Sequence, residues 1–270
     1  MTATLAALYL YPVKSCAGVP LTTAQAEARG LTGDRRWALV GPRGRLLTQR
    51  DLPRLRLIEP VWDGTLRALR APGLPELPLP AGPLGPRVPA TLWGGDIGGL
   101  SVSPDAPAWL RAFLGVPCDL VALPEDASRW QEGKPFRAPL GYADGNPYHL
   151  VSTASLATLG SATRSPLDFR PNFVIEGAAP FAEDGWRRVQ IGAVGFQVVE
   201  SCARCAVVNV DPAGNMTAEP LRTLARQRRQ GRVILFGQHL ILEGTAGLSV
   251  HVGDSVNVLD WSTEPNPSYA

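Results

Sequence analysis

The 270-residue chain is poor in the features that mark several large protein classes. Its 4 cysteines are too few for a disulfide scaffold in a chain of this length, and it has only 3 histidines. No apolar run approaches the roughly 20 residues of a membrane-spanning helix. Residues 1–13 also lack the basic start and small-residue cleavage site of a signal peptide. The net charge is only +2, without the basic and aromatic runs typical of a nucleic-acid surface. We therefore expect a soluble, cytoplasmic protein that binds neither membrane nor nucleic acid.

Glycine and proline, by contrast, are abundant, with 28 and 26 residues spread along the chain. Because proline ends helices and is confined to strand edges, this density predicts many short strands joined by turns. Residues 65–70 and 74–79 flank Pro72-Gly73 in the manner of a hairpin. Helices are predicted to begin at Ser103-Pro104, near Ser152 and after Thr217.

The length allows two modest domains. A stretch rich in proline, glycine and charge lies between Ala122 and Pro139. We place the boundary there, with residues 1–122 and 123–270 as the two domains. The predicted fold class is a β-rich α+β protein with two packed domains and a few helices.

Cys202-Ala203-Arg204-Cys205 is the most informative motif. It follows the alternating strand predicted for residues 191–200, so its thiols would be held rigidly. Arg204 lies between the two cysteines, and a positive charge favours the thiolate form that binds metals or attacks electrophiles.

Cys202 and Cys205 could serve as zinc ligands, as a redox dithiol or as structural cysteines. Zinc is disfavoured because Cys16, Cys118 and the three histidines form no second ligand pair. A redox dithiol normally opens a helix, whereas the β-branched residues after Cys205 predict another strand and then a turn. Two half-buried structural cysteines remain an open alternative.

Cations stand at the ends of three other predicted strands. Lys14 and Ser15 follow one strand, and Arg35 and Arg170 each precede one. Arginine offers a bidentate fork and lysine a point charge, so together they suit a phosphate or another dense anion. Each cation alone could equally form a surface salt bridge, Arg35 with Asp34 for example. Their combination with the cysteine motif favours an anionic cofactor.

These motifs occur in the order found in MOSC proteins, which the chain resembles from about residue 3 to residue 259. The nearest resemblance is to members with an N-terminal β-barrel domain, including the mitochondrial amidoxime-reducing component and its bacterial counterparts. The resemblance implies a β-barrel-like domain over residues 1–122 and a MOSC β-barrel domain over residues 123–270, with a cofactor in the cleft between them. The segments that carry it are residues 11–16, 33–35, 169–172, 202–205, 210–212 and 236–238.

The resemblance also implies a cofactor, a molybdenum atom held by one pyranopterin dithiolene (molybdopterin). The second cysteine of the pair, Cys205, would be its protein ligand and the catalytic residue, and a thiolate suits such a soft metal. The cofactor's phosphate would account for Lys14, Ser15, Arg35 and Arg170. The remaining residues implied to line the cofactor are Asp144, Gly145, Asn146, Asn172, Ala203, Arg204 and His239. For His239 a core position on a strand is an equal alternative, and Cys202 is expected only to support the loop.

The implied activity is that of an oxidoreductase for N-hydroxylated compounds: hydroxylamines, amidoximes and N-hydroxylated bases. No cysteine-rich extension for an iron–sulfur cluster is visible, so electrons are expected from a separate flavoprotein, ferredoxin or cytochrome b5-like protein. Ala203 and the Val208-Asn209 pair depart from the family pattern near the metal, so substrate preference is not carried over. Two alternatives stay open: a sulfur-transfer domain with a persulfide on Cys205, and a non-catalytic carrier of the cofactor.

A cluster of arginines follows Thr217. Helical spacing would put these side chains on one outward face, where they could dock an acidic electron donor. An ordinary solvated helix face is the alternative. The cluster consists of Arg222, Arg226, Arg228 and Arg229.

Overall fold

The computed structural model describes residues 3–81, 85–131, 135–163 and 165–268. The α-helices are α1 (Ala106–Leu114), α2 (Thr153–Ala157) and α3 (Leu221–Gln227). Short 3-10 helices are Pro42–Gly44, Pro53–Leu57, Gly160–Ala162, Pro166–Phe169, Ala182–Gly185 and Ala206–Asn209. The strands are β1 (Ala3–Leu10), β2 (Val19–Leu21), β3 (Thr23–Glu27), β4 (Gly30–Leu31), β5 (Trp37–Val40), β6 (Glu59–Trp62), β7 (Leu66–Arg70), β8 (Leu77–Pro78), β9 (Arg87–Val88), β10 (Thr91–Leu92), β11 (Gly95–Asp96), β12 (Gly99–Ser101), β13 (Asp119–Ala122), β14 (Arg129–Trp130), β15 (Pro139–Leu140), β16 (Tyr148–Ser152), β17 (Phe173–Glu176), β18 (Trp186–Ile191), β19 (Val194–Ala203), β20 (Arg229–Gln230), β21 (Val233–Glu243), β22 (Ser249–His251) and β23 (Ser255–Trp261).

Seven strands close into a barrel in the order β16-β17-β1-β23-β18-β19-β21 and back to β16. Neighbours pair antiparallel everywhere except between β16 and β17, which are parallel. A closed ring with an odd number of strands cannot alternate direction all the way round, so one parallel pair is unavoidable. Closure leaves these seven strands without the free edges that invite aggregation.

The barrel interior is filled by aliphatic and aromatic side chains. The ring of Tyr148 lies 5.6 Å from that of Phe173 and 5.1 Å from that of Phe196, and all three side chains are buried. In β1 the register shifts between Leu5 and Ala7. This bulge changes the phase of the alternation, so Leu5 and Leu8 can both face the core.

The N-terminal half of the chain builds a second layer beside the barrel. Its sheet has the order β5-β13-β12-β9, and α1 contributes Leu110 and Phe113 to the core beneath it. The predicted hairpin is confirmed, since β7 pairs with β8 and Leu69 lies opposite Leu77. Together with the barrel, this layer confirms the predicted β-rich α+β class with few helices.

The two halves of the chain are interleaved. Strand β1 belongs to the barrel although it opens the chain, and β3 pairs with β22. The domain limits of 1–122 and 123–270 stay a prediction, and residues 132–134 of the proposed boundary stretch lie outside the described residues.

Helix α2 begins at Thr153 with Ser152 as its N-cap, as predicted, whereas α1 and α3 begin later than the sequence predicted. Ser103 Oγ accepts the N–H of Asp105 in a turn that precedes α1, and the helix starts only at Ala106. Similarly, Thr217 donates its hydroxyl to the carbonyl of Asn209, which keeps the start of that segment in a loop ahead of α3. Within the described ranges, no helix is both long and apolar enough to cross a bilayer.

The prediction of a single basic helix face is wrong. Arg228 lies past the end of α3 and pairs with Asp184, and Arg229 belongs to β20. Of the four arginines, only Arg222 and Arg226 project from α3, and Arg222 is paired with Glu219 at 2.7 Å. The surface therefore offers a smaller positive charge than the sequence suggested.

We expect Phe196→Ala to lower the free energy of unfolding by ~3–5 kcal/mol, because it opens a cavity against Tyr148 and Phe173. Urea denaturation measures the change. Val258→Ala in β23 is the matched control, since its side chain is partly exposed and its truncation should have little effect. Equal destabilisation by the two variants would contradict the packing described here.

Candidate functional site

A cleft of about 670 Å³ lies between one end of the barrel and the N-terminal half of the chain. The structure brings together in its walls every residue that the sequence assigned to the site. These are Lys14, Ser15, Arg35, Asp144, Gly145, Asn146, Arg170, Asn172, Ala203, Arg204, Cys205 and His239.

Lys14 is buried at the floor of the cleft. Its Nζ donates to the carbonyl of Tyr142 at 2.8 Å and to Asp144 Oδ1 at 2.7 Å. Burial alone would raise the pKa of Asp144, but Lys14 and Arg50 outweigh it and hold that pKa at about 2. Burial also lowers the pKa of Lys14, which the Asp144 carboxylate opposes. A buried cation is thus kept in the cleft by one acidic partner.

Arg35 and Arg170 flank the buried ring of Tyr11. Their guanidinium carbons lie 4.6 and 4.3 Å from the ring centre. Arg35 also pairs with Asp34, so the salt bridge that the sequence offered as an alternative is formed without removing Arg35 from the cleft. Arg170 donates to the carbonyl of Cys16 at 2.6 Å, and burial lowers its pKa to about 10.

Backbone strain is concentrated in the same cleft. Six non-glycine residues in the described part of the chain have a positive φ, and four of them line the cleft. Such left-handed conformations are unfavourable for residues with a Cβ, and they cluster where function over-determines the geometry. The four are Ser15, Arg35, Trp93 and Arg170.

The segment after Cys205 is a 3-10 helix, Ala206–Asn209, and not the predicted strand. The β-branched side chain of Val208 is buried from this short turn against Leu224 and Phe236. Packing has therefore overridden the strand propensity of the segment. Cys205 itself stands at the start of the turn and is partly exposed to the cleft.

The two thiols have different arginine partners. Arg50 Nη2 lies 3.2 Å from Cys205 Sγ, although sequence reasoning did not single out Arg50. Arg204 Nη1, in contrast, lies 2.7 Å from Cys202 Sγ, so its charge acts on the first cysteine and not mainly on Cys205. The pairing of Arg50 with Cys205 joins residues 155 positions apart, for which the local sequence carries no signal.

Cys202 and His239 polarise each other. Burial disfavours the Cys202 thiolate, but Arg204 and His239 outweigh it and lower the pKa of Cys202 to about 7. Burial likewise disfavours the His239 cation, but Cys202 and Glu200 raise the pKa of His239 to about 9. Glu200 Oε1 lies 3.1 Å from His239 Nδ1. His239 therefore lies on β21 in the cleft wall, in contact with Glu200.

The pKa of His149 is shifted in the opposite direction from that of His239. Burial, Arg204 and His239 hold its pKa well below the ordinary value, so it stays neutral. Its Nε2 lies 3.3 Å from Arg204 Nη1 and can accept from it. The cleft thus holds one charged and one neutral histidine, with ring centres 5.7 Å apart.

The chain matches two known domain families. Residues 2–117 match the MOSC N-terminal beta barrel domain, and residues 138–257 match the MOSC domain. The chain belongs to the MOSC family. It is 35% identical to mitochondrial amidoxime-reducing component 1 of Homo sapiens, over 95% of this chain and 83% of that protein. The Mus musculus protein is 33% identical over 95% of this chain and 82% of its own length. Molybdenum cofactor sulfurase of Danio rerio is 31% identical over 88% of this chain but only 32% of that protein.

Gly237 in the MOSC barrel shows why one motif residue needs to be glycine. Its φ is +76°, and a Cβ there would lie 2.5 Å from His149 Nε2 and 2.7 Å from the carbonyl oxygen of Leu150. A side chain at this position would displace the histidine that contacts Arg204.

The cleft of this MOSC protein is suited to a polar ligand. Within the described ranges, three buried polar atoms lack a hydrogen-bond partner and belong to residues that line the cleft: Asn146 Oδ1, Arg204 Nε and Ser268 Oγ. Buried polar groups are normally satisfied, so these atoms fit a ligand that supplies the missing partners. The described residues contain no group of three or more His, Cys, Asp or Glu placed to hold a metal ion. A metal at Cys205 would therefore need most of its donors from a cofactor, as a dithiolene provides.

We expect Asp144→Asn to lower the free energy of unfolding at neutral pH by about 1–2 kcal/mol, because it leaves Lys14 buried without a carboxylate. This value is below the usual range for a broken buried pair, since Asp144 is half-exposed and screened. The pKa of Asp144 is lower in the folded protein than its ordinary value. Its contribution is therefore present above about pH 4 and lost as the pH falls towards 2.

The measurement is urea denaturation of both proteins from pH 7 down to pH 2. Asp126→Asn is the control, because Asp126 forms an exposed pair with Arg87 and its loss should change little. If the difference in free energy of unfolding between wild type and Asp144→Asn stayed constant down to pH 2, the ion pair would not be the source of that difference.

Proposed function

We propose that the cleft binds molybdenum with one pyranopterin dithiolene, and that the protein reduces N-hydroxylated compounds with electrons from a separate donor protein. The observation that carries the proposal is the accessible thiol of Cys205 in a cleft walled by buried cations from both halves of the chain. The relatives named as amidoxime-reducing components support the substrate class.

In this proposal the chain binds and orients the cofactor. Lys14, Arg35 and Arg170 meet its phosphate, and the hydroxyl of Ser15 adds a hydrogen bond. The unsatisfied atoms of Asn146, Arg204 and Ser268 meet polar groups of the pterin. Arg50 Nη2 contacts the Sγ of Cys205, which would be the metal ligand. When bound, the cofactor supplies the two-electron redox chemistry.

Reduction of an N–OH group to N–H also needs two protons and releases water. His239 is charged at neutral pH, lines the cleft and is held by Glu200 at 3.1 Å. It can hold one of these protons near the reacting group, and solvent in the open cleft can supply the other.

The two alternative functions, sulfur transfer and cofactor carriage, would use the thiol of Cys205 differently. A sulfur-transfer protein would carry a persulfide on Cys205, in keeping with the relative named molybdenum cofactor sulfurase. A carrier would bind the cofactor without turnover. Molybdenum content, labile sulfur and reductase activity, measured on one preparation, distinguish all three.

We expect Cys205→Ser to abolish the molybdenum-dependent reduction of an amidoxime, while Cys202→Ser retains most of it. Serine is a poor ligand for a soft metal, whereas Cys202 is buried and its Sγ already contacts Arg204. The assay uses protein from a host that makes the pterin cofactor, with a chemical reductant as electron source. Cys118→Ser is the control, since Cys118 lies in the core of the N-terminal half. Equal loss in the Cys202 and Cys205 variants, with molybdenum retained in Cys205→Ser, would contradict the single-ligand assignment.

We expect Arg35→Gln to weaken cofactor binding by about 10- to 100-fold, because a charge-assisted hydrogen bond contributes roughly 1.5–3 kcal/mol. The measurement is the pterin and molybdenum content of the purified protein. Arg36→Gln is the matched control, since the neighbouring arginine pairs with Glu27 and does not line the cleft. Full occupancy in both variants would exclude Arg35 as a phosphate contact.

A further inference from the structure

A tight hairpin places a tryptophan at the rim of the cleft. Strands β10 and β11 pair with Leu92 opposite Gly95, so Trp93 and Gly94 form the two-residue turn. Their φ values are 53° and 81°, and such turns favour Asn-Gly because both residues must be left-handed. Tryptophan is a poor choice for this backbone conformation.

The side chain of Trp93 is also poorly placed for stability. It is 66% exposed, among the most exposed of the large hydrophobic residues in the described ranges. Neither local conformation nor burial therefore explains this residue. Strained residues of this kind are found where the geometry serves a ligand.

The indole is connected to the proposed metal ligand through one side chain. The guanidinium carbon of Arg50 lies 5.2 Å from the centre of the Trp93 ring, and Arg50 Nη2 lies 3.2 Å from Cys205 Sγ. Trp93 itself belongs to the cleft wall. The side chain of Arg50 thus lies between Trp93 and the thiol of Cys205.

The other three strained residues of the cleft are Ser15, Arg35 and Arg170, which suit an anion. Trp93 does not, because its indole offers an aromatic face and a single N–H donor. An exposed aromatic face binds flat, conjugated groups by stacking, and it tolerates variation in their substituents.

We propose that Trp93 is a substrate-positioning residue that stacks on planar, conjugated N-hydroxylated substrates and directs their N–OH group towards Cys205. This inference rests on the proposed function. The substrates it favours are aromatic amidoximes and N-hydroxylated heteroaromatic bases, and a small hydroxylamine without a ring gains nothing from Trp93.

The kinetic test compares benzamidoxime with unsubstituted hydroxylamine. Trp93→Asn removes the ring and suits the left-handed backbone, whereas Trp93→Phe keeps an aromatic face. We expect Trp93→Asn to raise KM for benzamidoxime about 3- to 10-fold, as loss of one aromatic contact predicts, with kcat little changed. The KM for hydroxylamine should rise less than the KM for benzamidoxime, and Trp93→Phe should recover most of the lost affinity.

Trp261→Asn is the matched control. Trp261 is 65% exposed, but it lies on β23 away from the cleft. Its replacement should affect neither substrate. An equal KM for benzamidoxime in wild type and Trp93→Asn would overturn the inference, as would equal losses with both substrates.

A binding measurement separates this inference from the proposed function. Benzamidine, the planar product of benzamidoxime reduction, should quench tryptophan fluorescence of the wild type and of Trp261→Asn. Quenching should be greatly reduced in Trp93→Phe. If wild type reduced neither substrate but the quenching depended on Trp93, the proposed reductase function would fail while the stacking site stood. Quenching that persisted undiminished in Trp93→Phe would overturn the stacking site itself.

Discussion

The buried carboxylate of Asp34 is the contact on which the cleft depends. Its Oδ1 accepts the backbone N–H of Tyr11 at 2.9 Å and lies 3.3 Å from Asn172 Nδ2, and its Oδ2 pairs with Arg35. A buried charge is tolerated only with such partners. Because these donors come from the end of β1, the approach to β17 and the turn before β5, Asp34 fixes the N-terminal half against the barrel. Arg35 takes its position in the cleft from that junction.

The charged groups of the cleft are held in pairs, and Asp144 is shared between Lys14 and Arg50. Lys14 faces Asp144, Cys205 faces Arg50, and Cys202 faces Arg204 and His239. This arrangement keeps the two thiols in different environments although they are three residues apart. One is buried in an ionic network, and the other is accessible for a ligand.

The barrel makes this arrangement possible because it supplies rigid supports on which strain can be tolerated. Long paired strands, β19 and β21, carry Cys202 and His239 into the cleft. Shorter turns from the N-terminal half carry Ser15, Arg35 and Trp93, each with a left-handed backbone. The strain therefore falls on the turns that face the cleft and not on the strands that hold the fold together.

The sequence by itself determined the β-rich architecture, the hairpin of β7 and β8, and the set of residues that share one cleft. The architecture and the hairpin follow from local patterns, namely turn residues between apolar strands. The strand-end cations of the cleft also follow from such patterns, whereas most of its other residues were implied by the resemblance to MOSC proteins. Only the tertiary structure decided which cation meets which partner. Arg50 reaches Cys205 from 155 residues away, Arg204 turns to Cys202, and Arg228 leaves the predicted basic face for Asp184. Such pairings depend on distances in space between separate segments, and local sequence patterns do not contain those distances.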